Sequence, residues 1–195
     1  MALSRLVRDL LKAAFTNGGA AKELADAVDL TASLGTALTA TAAEINRVAT
    51  RSTRVVNATA STLVVTEALH DKKTIVLDRA AGIAVTLPAA AAGLEFLFVV
   101  KTTFTGAASI KSVAGTDVMI GHAIMGNDSD NTVVSWPAVA ASTLDTIDLF
   151  GTANSTGGIE GQTVRIFGLA TGLWEVEIQG DAAGTEATPF ANTVA

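Results

Sequence analysis

Only two histidines, His70 and His122, are available for acid–base chemistry near neutral pH. A serine nucleophile needs such a base beside it, and neither histidine lies in a G-x-S-x-G or comparable strand–turn–helix context. We expect His70 to be a solvated loop residue between two strands, with an acid–base or pH-sensing role as the alternative. We expect His122 to be a hydrogen-bonded residue at a strand end. The histidines therefore indicate no nucleophilic site.

A run of oxygen-bearing side chains at residues 127–131 begins in the manner of a calcium-binding loop. Counted from Asp128, however, Val133 stands where such a loop has its glycine, and Val139 stands where it has its bidentate glutamate. We expect a turn rich in Asp and Asn between two strands. Whether the loop Asp128 to Asn131 binds an ion stays open.

Glu175 and Glu177 form a carboxylate pair on one face of a predicted strand, and glycosidases use carboxylates in pairs. Trp174 alternates to the opposite face, so no aromatic sugar platform accompanies the pair. We expect a solvated strand face, and a carbohydrate-active enzyme is the less favoured alternative.

The composition disfavours most other chemistry. The 195 residues include no cysteine and no tyrosine, and aromatic residues make up 5%. Disulfides, thiolate metal sites and cysteine nucleophiles are therefore excluded, and a deep aromatic pocket is disfavoured. Neither a G-x-G-x-x-G nor a G-K-[ST] nucleotide motif is present. We expect a protein that is not an enzyme and that uses no cofactor, no metal and no catalytic residue.

The charge is acidic overall and unevenly distributed. The formal net charge is −6, but residues 1–111 hold 12 of the 13 basic residues and 9 of the 19 acidic ones. Arg165 is the only cation in residues 112–195. An acidic chain argues against nucleic-acid binding. The asymmetry favours an N-terminal part that meets a partner and a C-terminal part that faces solvent, with chance and solubility as the alternative.

Two features of the first 54 residues predict a helical arm. Apolar side chains recur at helical spacing, and polar residues lie opposite them, before Asn17 to Gly19 end the pattern. The apolar face consists of Leu3, Leu6, Val7, Leu10 and Leu11. An isolated helix of this length is marginal in water, so we expect this face to dock on a partner, a sister subunit or the rest of the chain.

A second helix is predicted where Thr41 and Glu44 form a capping box. Arg47, Arg51 and Arg54 fall at i, i+4 and i+7 if this helix continues to the β region. These arginines are either a solvated face near the negative end of the helix dipole or a basic stripe for an acidic partner.

From Val55 onward the pattern changes to short runs rich in Val, Ile, Thr and Phe, separated by Gly, Asp and Asn, which predicts a mainly β protein. No repeat of 20 to 50 residues stands out, so a solenoid is not predicted. We expect a β-sandwich or barrel-like body at residues 55–184. It follows an N-terminal helical arm and linker at residues 1–54. A C-terminal tail at residues 185–195 is either an extended arm or a frayed end. Ten strands are predicted, near residues 63–66, 74–77, 84–87, 95–101, 109–113, 118–121, 132–135, 146–150, 163–168 and 173–179.

No segment is typical of membrane insertion. Charged residues interrupt the apolar start of the chain, and the most apolar stretch, residues 80–94, is shorter than the ~20 residues that cross a bilayer. We therefore expect no membrane partner.

Several phrases of the sequence resemble tailed-bacteriophage virion proteins, and all of them except the first resemble head decoration or cement proteins in particular. They are TAAEINR at residues 41–47, TLVVTEALHDKKTIVLDRAAGIAVTLPAA at 62–90, FLFVVKTTFTG at 96–106, IKSVAGTDVMIGHA at 110–123 and GLWEVEIQGDAAGTEATPFA at 172–191. They cover most of the chain between residues 38 and 190 but include no catalytic signature.

The resemblance implies a virion structural protein that binds the outside of the capsid lattice and stabilises the head. It further implies self-association as a homotrimer, with the major capsid protein as partner. A tail-fibre or receptor-binding module of the virion is the alternative, and it would present exposed aromatic residues on its distal surface.

Overall fold

β-Branched and aromatic residues in short runs, separated by turn-forming residues, produce strands along the whole described chain. The computed structural model describes residues 54–128, 130, 132–139 and 143–194. Within these residues it contains one four-residue helix, α1, at Glu67–His70. The twelve strands are β1 Val55–Ala58, β2 Thr62–Val64, β3 Lys73–Leu77, β4 Ala84–Thr86, β5 Glu95–Val100, β6 Ser109–Lys111, β7 Val118–Asn127, β8 Val133–Ala138, β9 Thr146–Asp148, β10 Thr163–Ala170, β11 Leu173–Ala182 and β12 Phe190–Ala191.

The strands form two mixed sheets. The larger sheet has seven strands in the order β1-β3-β5-β10-β11-β7-β8, and the smaller sheet has five in the order β12-β9-β6-β4-β2. The predicted mainly β body is therefore confirmed. The predicted helical arm at residues 1–54 lies outside the described residues except for Arg54.

The first six strands alternate between the two sheets. β1, β3 and β5 run parallel in the larger sheet, and β2, β4 and β6 run parallel in the smaller one. Each pair of consecutive strands is thus one turn of a flattened coil, in the manner of a parallel β-helix. The paired residues are unequally spaced along the chain, because Val55 pairs with Thr74 and Ala84 pairs with Ser109. This variable turn length explains why the sequence shows no fixed repeat.

One hydrophobic core lies between the buried faces of both sheets. Ile75, Phe96 and Val176 contribute from the larger sheet, while Val85 and Ile110 contribute from the smaller one. Strand alternation places every second side chain in this layer. Burial of this apolar surface is the main favourable contribution to folding.

The hairpin of β10 and β11 follows the predicted pattern closely. Trp174, Val176 and Ile178 are fully buried, whereas Glu175 and Glu177 remain partly exposed on the other face. The ring of Trp174 lies 6.0 Å from that of Phe96, in a tilted arrangement. The prediction that one face of this strand is wet is confirmed.

All ten predicted strands are present, and two strands were not predicted. These are β1 at the start of the described chain and β12 in the predicted tail. The tail was predicted to be either an extended arm or a frayed end. Its residues 190 and 191 form a strand that pairs with the β body. Phe190 is only 6% exposed and pairs with Ile147 of β9.

A buried carboxylate fastens the end of the chain. Asp145 is fully buried, and its Oδ1 accepts hydrogen bonds from the backbone N–H of Thr193 at 2.9 Å and from the hydroxyl of Thr146 at 2.8 Å. Its backbone N–H donates to the carbonyl of Ala191 at 3.1 Å. The tail is therefore held by β12 pairing, by one aromatic side chain and by one carboxylate.

We predict that Phe190→Ala lowers the free energy of unfolding by roughly 3 kcal/mol, because it leaves a cavity in the core under the smaller sheet. Urea unfolding of the full chain measures the change. Thr185→Ala, at an exposed tail position, is the control and should leave stability unchanged. Equal stability of the two variants would show that the tail does not contribute to the core.

Candidate docking surface

Strand direction defines two ends of the larger sheet. β1, β3 and β5 are parallel, β10 is antiparallel to β5, β11 is antiparallel to β10, and β7 is parallel to β11. Hence β1, β3, β5, β7 and β11 all begin at one end, where β8 and β10 finish. We call this end the lysine end, after Lys72 and Lys73, and the opposite end the acidic end, after Asp128 and Asp130.

Most exposed apolar side chains belong to the lysine end. Of the eight large hydrophobic residues that are exposed in the described chain, six have 43 to 67% of their surface accessible and belong to this end: three lie at or next to termini of larger-sheet strands there, and three lie at or between the ends of β2 and β6 and the starts of β3 and β7. They are Val55, Val64, Leu69, Val113, Val139 and Leu169. Exposed apolar residues that gather at one end of a domain indicate an interaction surface.

Cations accompany these apolar residues. Arg54 immediately precedes β1, and its carbonyl accepts the N–H of Thr74 at 2.9 Å. Lys72 and Lys73 lie between α1 and the body of β3. Glu67 on α1 is the exposed carboxylate nearest to them in sequence.

Two further carboxylates at the lysine end are buried and used within the fold. Asp71 Oδ1 accepts the backbone N–H of Glu95 at 3.0 Å, and Asp117 Oδ2 accepts that of Ala90 at 3.1 Å. Asp71 is 9% exposed and Asp117 is 6% exposed. Each ties one loop to the next, so they order the lysine end without presenting their charge to a partner.

The acidic end carries exposed carboxylates. Asp128 and Asp130 lie in the turn between β7 and β8, Asp181 lies near the end of β11, and Glu160 precedes β10. Among the described residues none of these four is paired with a cation. No group of His, Cys, Asp and Glu side chains in the described chain is arranged to hold a metal ion.

A small cleft opens between β3 and β5 near the lysine end. It has a volume of about 190 Å³ and is lined by Lys72, Lys73, Thr74, Glu95 and Leu97. Lys72 has φ of +56°, a left-handed conformation that is uncommon for a residue with a side chain. Its N–H donates to the carbonyl of Glu95 at 2.8 Å, which fixes the two strands together at the mouth of the cleft.

Arg165 lies beside this cleft, on the outer face of the larger sheet. Its guanidinium contacts Glu95 Oε1 and Glu177 Oε2, each at 3.4 Å. Hydrogen bonding to Glu177 and then to Glu95 raises the pKa of Arg165 above its ordinary value. All three groups are partly exposed, so this network contributes little to stability but orients the Glu95 carboxylate toward β10.

The structure corrects both histidine predictions. His70 is not a solvated loop residue: it is 5% exposed, lies on α1, and its Nδ1 accepts the backbone N–H of Thr66 at 3.0 Å. It is the last residue of the short helix. His122 is not at a strand end but within β7, opposite Pro137 of β8.

The predicted turn at residues 128–131 is described only at Asp128 and Asp130. Asp130 Oδ1 accepts hydrogen bonds from the hydroxyl of Thr132 at 2.6 Å and from its N–H at 3.0 Å. These bonds lower the pKa of Asp130. The carboxylate therefore stabilises the turn that leads into β8.

The carboxylate pair of Glu175 and Glu177 lies on the outer face of the larger sheet. Glu177 contacts Arg165, which is opposite it in the β10–β11 register. Neither glutamate lines the cleft between β3 and β5. Neither lines the second cleft, which has a volume of about 300 Å³ and is formed on the smaller sheet by short side chains and Lys111. This position agrees with a solvated strand face.

Of the predicted contact residues, the structure describes one. Arg54 is exposed at the lysine end, while Leu3, Leu6, Val7, Leu10, Leu11, Arg47 and Arg51 lie outside the described residues. Sequence reasoning missed Lys72 and Lys73, although two adjacent lysines directly before a β-type run were visible in HDKKTIVL.

Comparisons of the chain with protein-family models, with curated proteins and with solved structures find no match. Within the described residues, no helix is long and apolar enough to cross a bilayer.

We predict that Lys101→Ala raises the pKa of Asp78 toward its ordinary value of 3.8. The Lys101 ammonium lies 2.6 Å from Asp78 Oδ2 and is the main reason that this pKa is lowered, with Thr102 as a second donor. A lowered pKa stabilises the fold above pH 3.8, and that contribution is lost as the pH falls through the lowered value.

Carboxyl carbon NMR titration of the full chain measures the Asp78 pKa. Lys111→Ala, which removes a cation on the smaller sheet, is the matched control and should leave it unchanged. A pKa of Asp78 that is the same in the wild type and in Lys101→Ala would contradict the contact.

Proposed function

We propose that this protein is a virion structural protein that binds the outside of the capsid lattice and stabilises the head. In this proposal a β-sandwich body with an N-terminal helical arm assembles as a homotrimer. The observation that carries it is the difference between the two ends of the larger sheet: exposed apolar residues and cations at one end, exposed carboxylates at the other.

The lysine end has the properties of a docking surface. Its apolar side chains lose water when they are covered, which supplies affinity. Arg54, Lys72 and Lys73 add attraction for an acidic partner, which acts mainly on the rate of association. The described chain begins at this same end, with Arg54 directly before β1.

The acidic end is suited to face solvent. Unpaired carboxylates repel one another and remain hydrated, and a surface of this kind opposes association between neighbouring copies. A decoration subunit needs one adhesive surface and one inert surface, and this division fits the two ends.

Binding is favoured over catalysis because the buried ionisable side chains are hydrogen-bonded within the fold. The buried carboxylates Asp71, Asp117 and Asp145 each accept backbone N–H groups, and His70 caps its own short helix. These side chains are therefore engaged in holding the fold, and within the described residues neither of the two clefts is lined by a histidine.

A receptor-binding module is less well supported, because such a surface relies on exposed aromatic residues. In the described chain Trp174, Phe96, Phe98 and Phe104 are buried, and no aromatic residue is among the exposed large hydrophobic ones.

We predict that adding the full chain to heads that lack it raises the temperature at which they release their genome, because a ligand that binds only the assembled state stabilises that state. A dye-release melting curve on purified heads measures the effect. If loaded and unloaded heads melt at the same temperature and survive the same osmotic shock, the stabilising role is wrong.

We predict that deleting residues 1–28 abolishes attachment to purified empty heads and leaves the β body folded. Reversing the charges of Arg47, Arg51 and Arg54 should slow association and weaken its dependence on salt, because screening acts within about 10 Å at 0.1 M salt. Cosedimentation measures attachment, and circular dichroism verifies the fold. Undiminished attachment of the deletion variant would place the contact on the body alone.

A further inference from the structure

We propose that the cleft between β3 and β5 is a binding site for a carboxylate side chain of a protein partner. This inference deepens the proposed function, on which it rests, by naming the chemistry that the lysine end recognises. The cleft is the one lined by Lys72, Lys73, Thr74, Glu95 and Leu97.

Two of the cations at the cleft form no ion pair within the described residues. Among the described residues that line it, the one carboxylate is Glu95, which Arg165 on the neighbouring strand contacts at 3.4 Å. Within the described residues, neither Lys72 nor Lys73 forms an ion pair. Lys72, Lys73 and Arg165 are matched in number by the carboxylates of Glu95, Glu177 and the buried Asp71, but neither lysine is paired with any of them. An incoming carboxylate could therefore pair with the lysines without displacing an existing ion pair.

The backbone of the cleft is fixed before any partner arrives. β3 and β5 pair in parallel from Lys73 to Leu77. Hydrogen bonds at the mouth join Lys72 to Glu95 and Glu95 to Asp71. The uncommon backbone conformation of Lys72 is held by this arrangement, and such conformations concentrate at functional sites. A fixed cleft loses less conformational entropy on binding.

The dimensions favour a side chain over a small-molecule ligand. The volume of about 190 Å³ is below the range of roughly 300–1,000 Å³ that is usual for small-molecule sites. Leu97 provides an apolar contact for methylene groups, while the lysines and the Thr74 hydroxyl provide hydrogen-bond donors for the carboxylate. Glutamate and aspartate side chains combine these two characters.

The backbone donors favour a carboxylate over a phosphate. Phosphate sites typically present several free N–H groups at a helix N-terminus or in a turn. Here the N–H groups of Lys72 and Glu95 already donate to Glu95 and Asp71. These two N–H groups are therefore not free for a ligand.

The test is a titration of the isotopically labelled full chain with poly-L-glutamate, followed by amide NMR. We expect shifts at Lys72, Lys73, Thr74 and Leu97, and about tenfold weaker binding for Lys73→Glu. Lys101→Glu, which makes the same charge change near the acidic end, should bind as the wild type does. Lys73→Gln removes the charge without reversing it and serves if the glutamate variant does not fold.

Three results would overturn the proposal. The first is that no cleft amide shifts, and the second is that Lys101→Glu weakens binding as much as Lys73→Glu, which would indicate general electrostatic attraction. The third is tighter binding of inorganic polyphosphate than of poly-L-glutamate at the same amides.

Cosedimentation with empty heads separates this inference from the function on which it rests. Heads that bind the wild type and Lys73→Glu equally would refute the cleft and leave the decoration role standing. Heads that do not bind the wild type would refute the decoration role, and the glutamate titration would still decide the chemistry of the cleft.

Discussion

Burial of a single apolar layer between two sheets is the interaction on which the rest of the structure depends. Strands in the larger sheet contribute Ile75, Phe96 and Val176 to it, and those of the smaller sheet contribute Val85 and Ile110. Each strand runs along this layer, so the connections between strands can emerge only at the ends of the sheets. The charged and exposed apolar side chains of the connections therefore lie at the lysine end or at the acidic end. The direction of the strands determines at which end each connection lies.

Buried carboxylates give the connections at the lysine end their order. Asp71, Asp117 and Asp145 each accept at least one backbone N–H from a segment distant in sequence. A buried acceptor without its donor would cost about 1–3 kcal/mol, so these bonds strongly favour one loop arrangement. The cleft and its apolar surroundings consequently have a defined form even though few regular elements hold them.

The strands were predictable because alternation is a local signal. Trp174, Val176 and Ile178 could be assigned to one face from their spacing alone. The pairing of the strands was not predictable. The parallel coil of β1 to β6 pairs residues that are separated by unequal distances along the chain, and any β-forming residue can occupy such a position. β12 was missed for a related reason: two residues carry no periodicity, and what fixes them is Phe190 in the core and Asp145 beside it.

The candidate docking surface was less predictable than the fold, because charge along the sequence is not charge in space. The basic half of the sequence supplies Lys72 and Lys73 to the lysine end, but it also supplies Arg79 and Lys101 to the connections at the acidic end. There Lys101 pairs with Asp78 at 2.6 Å, so it does not offset the exposed carboxylates. The polarity of the body therefore arises from strand direction together with this local pairing. A count of charges along the sequence does not identify the residues that produce it.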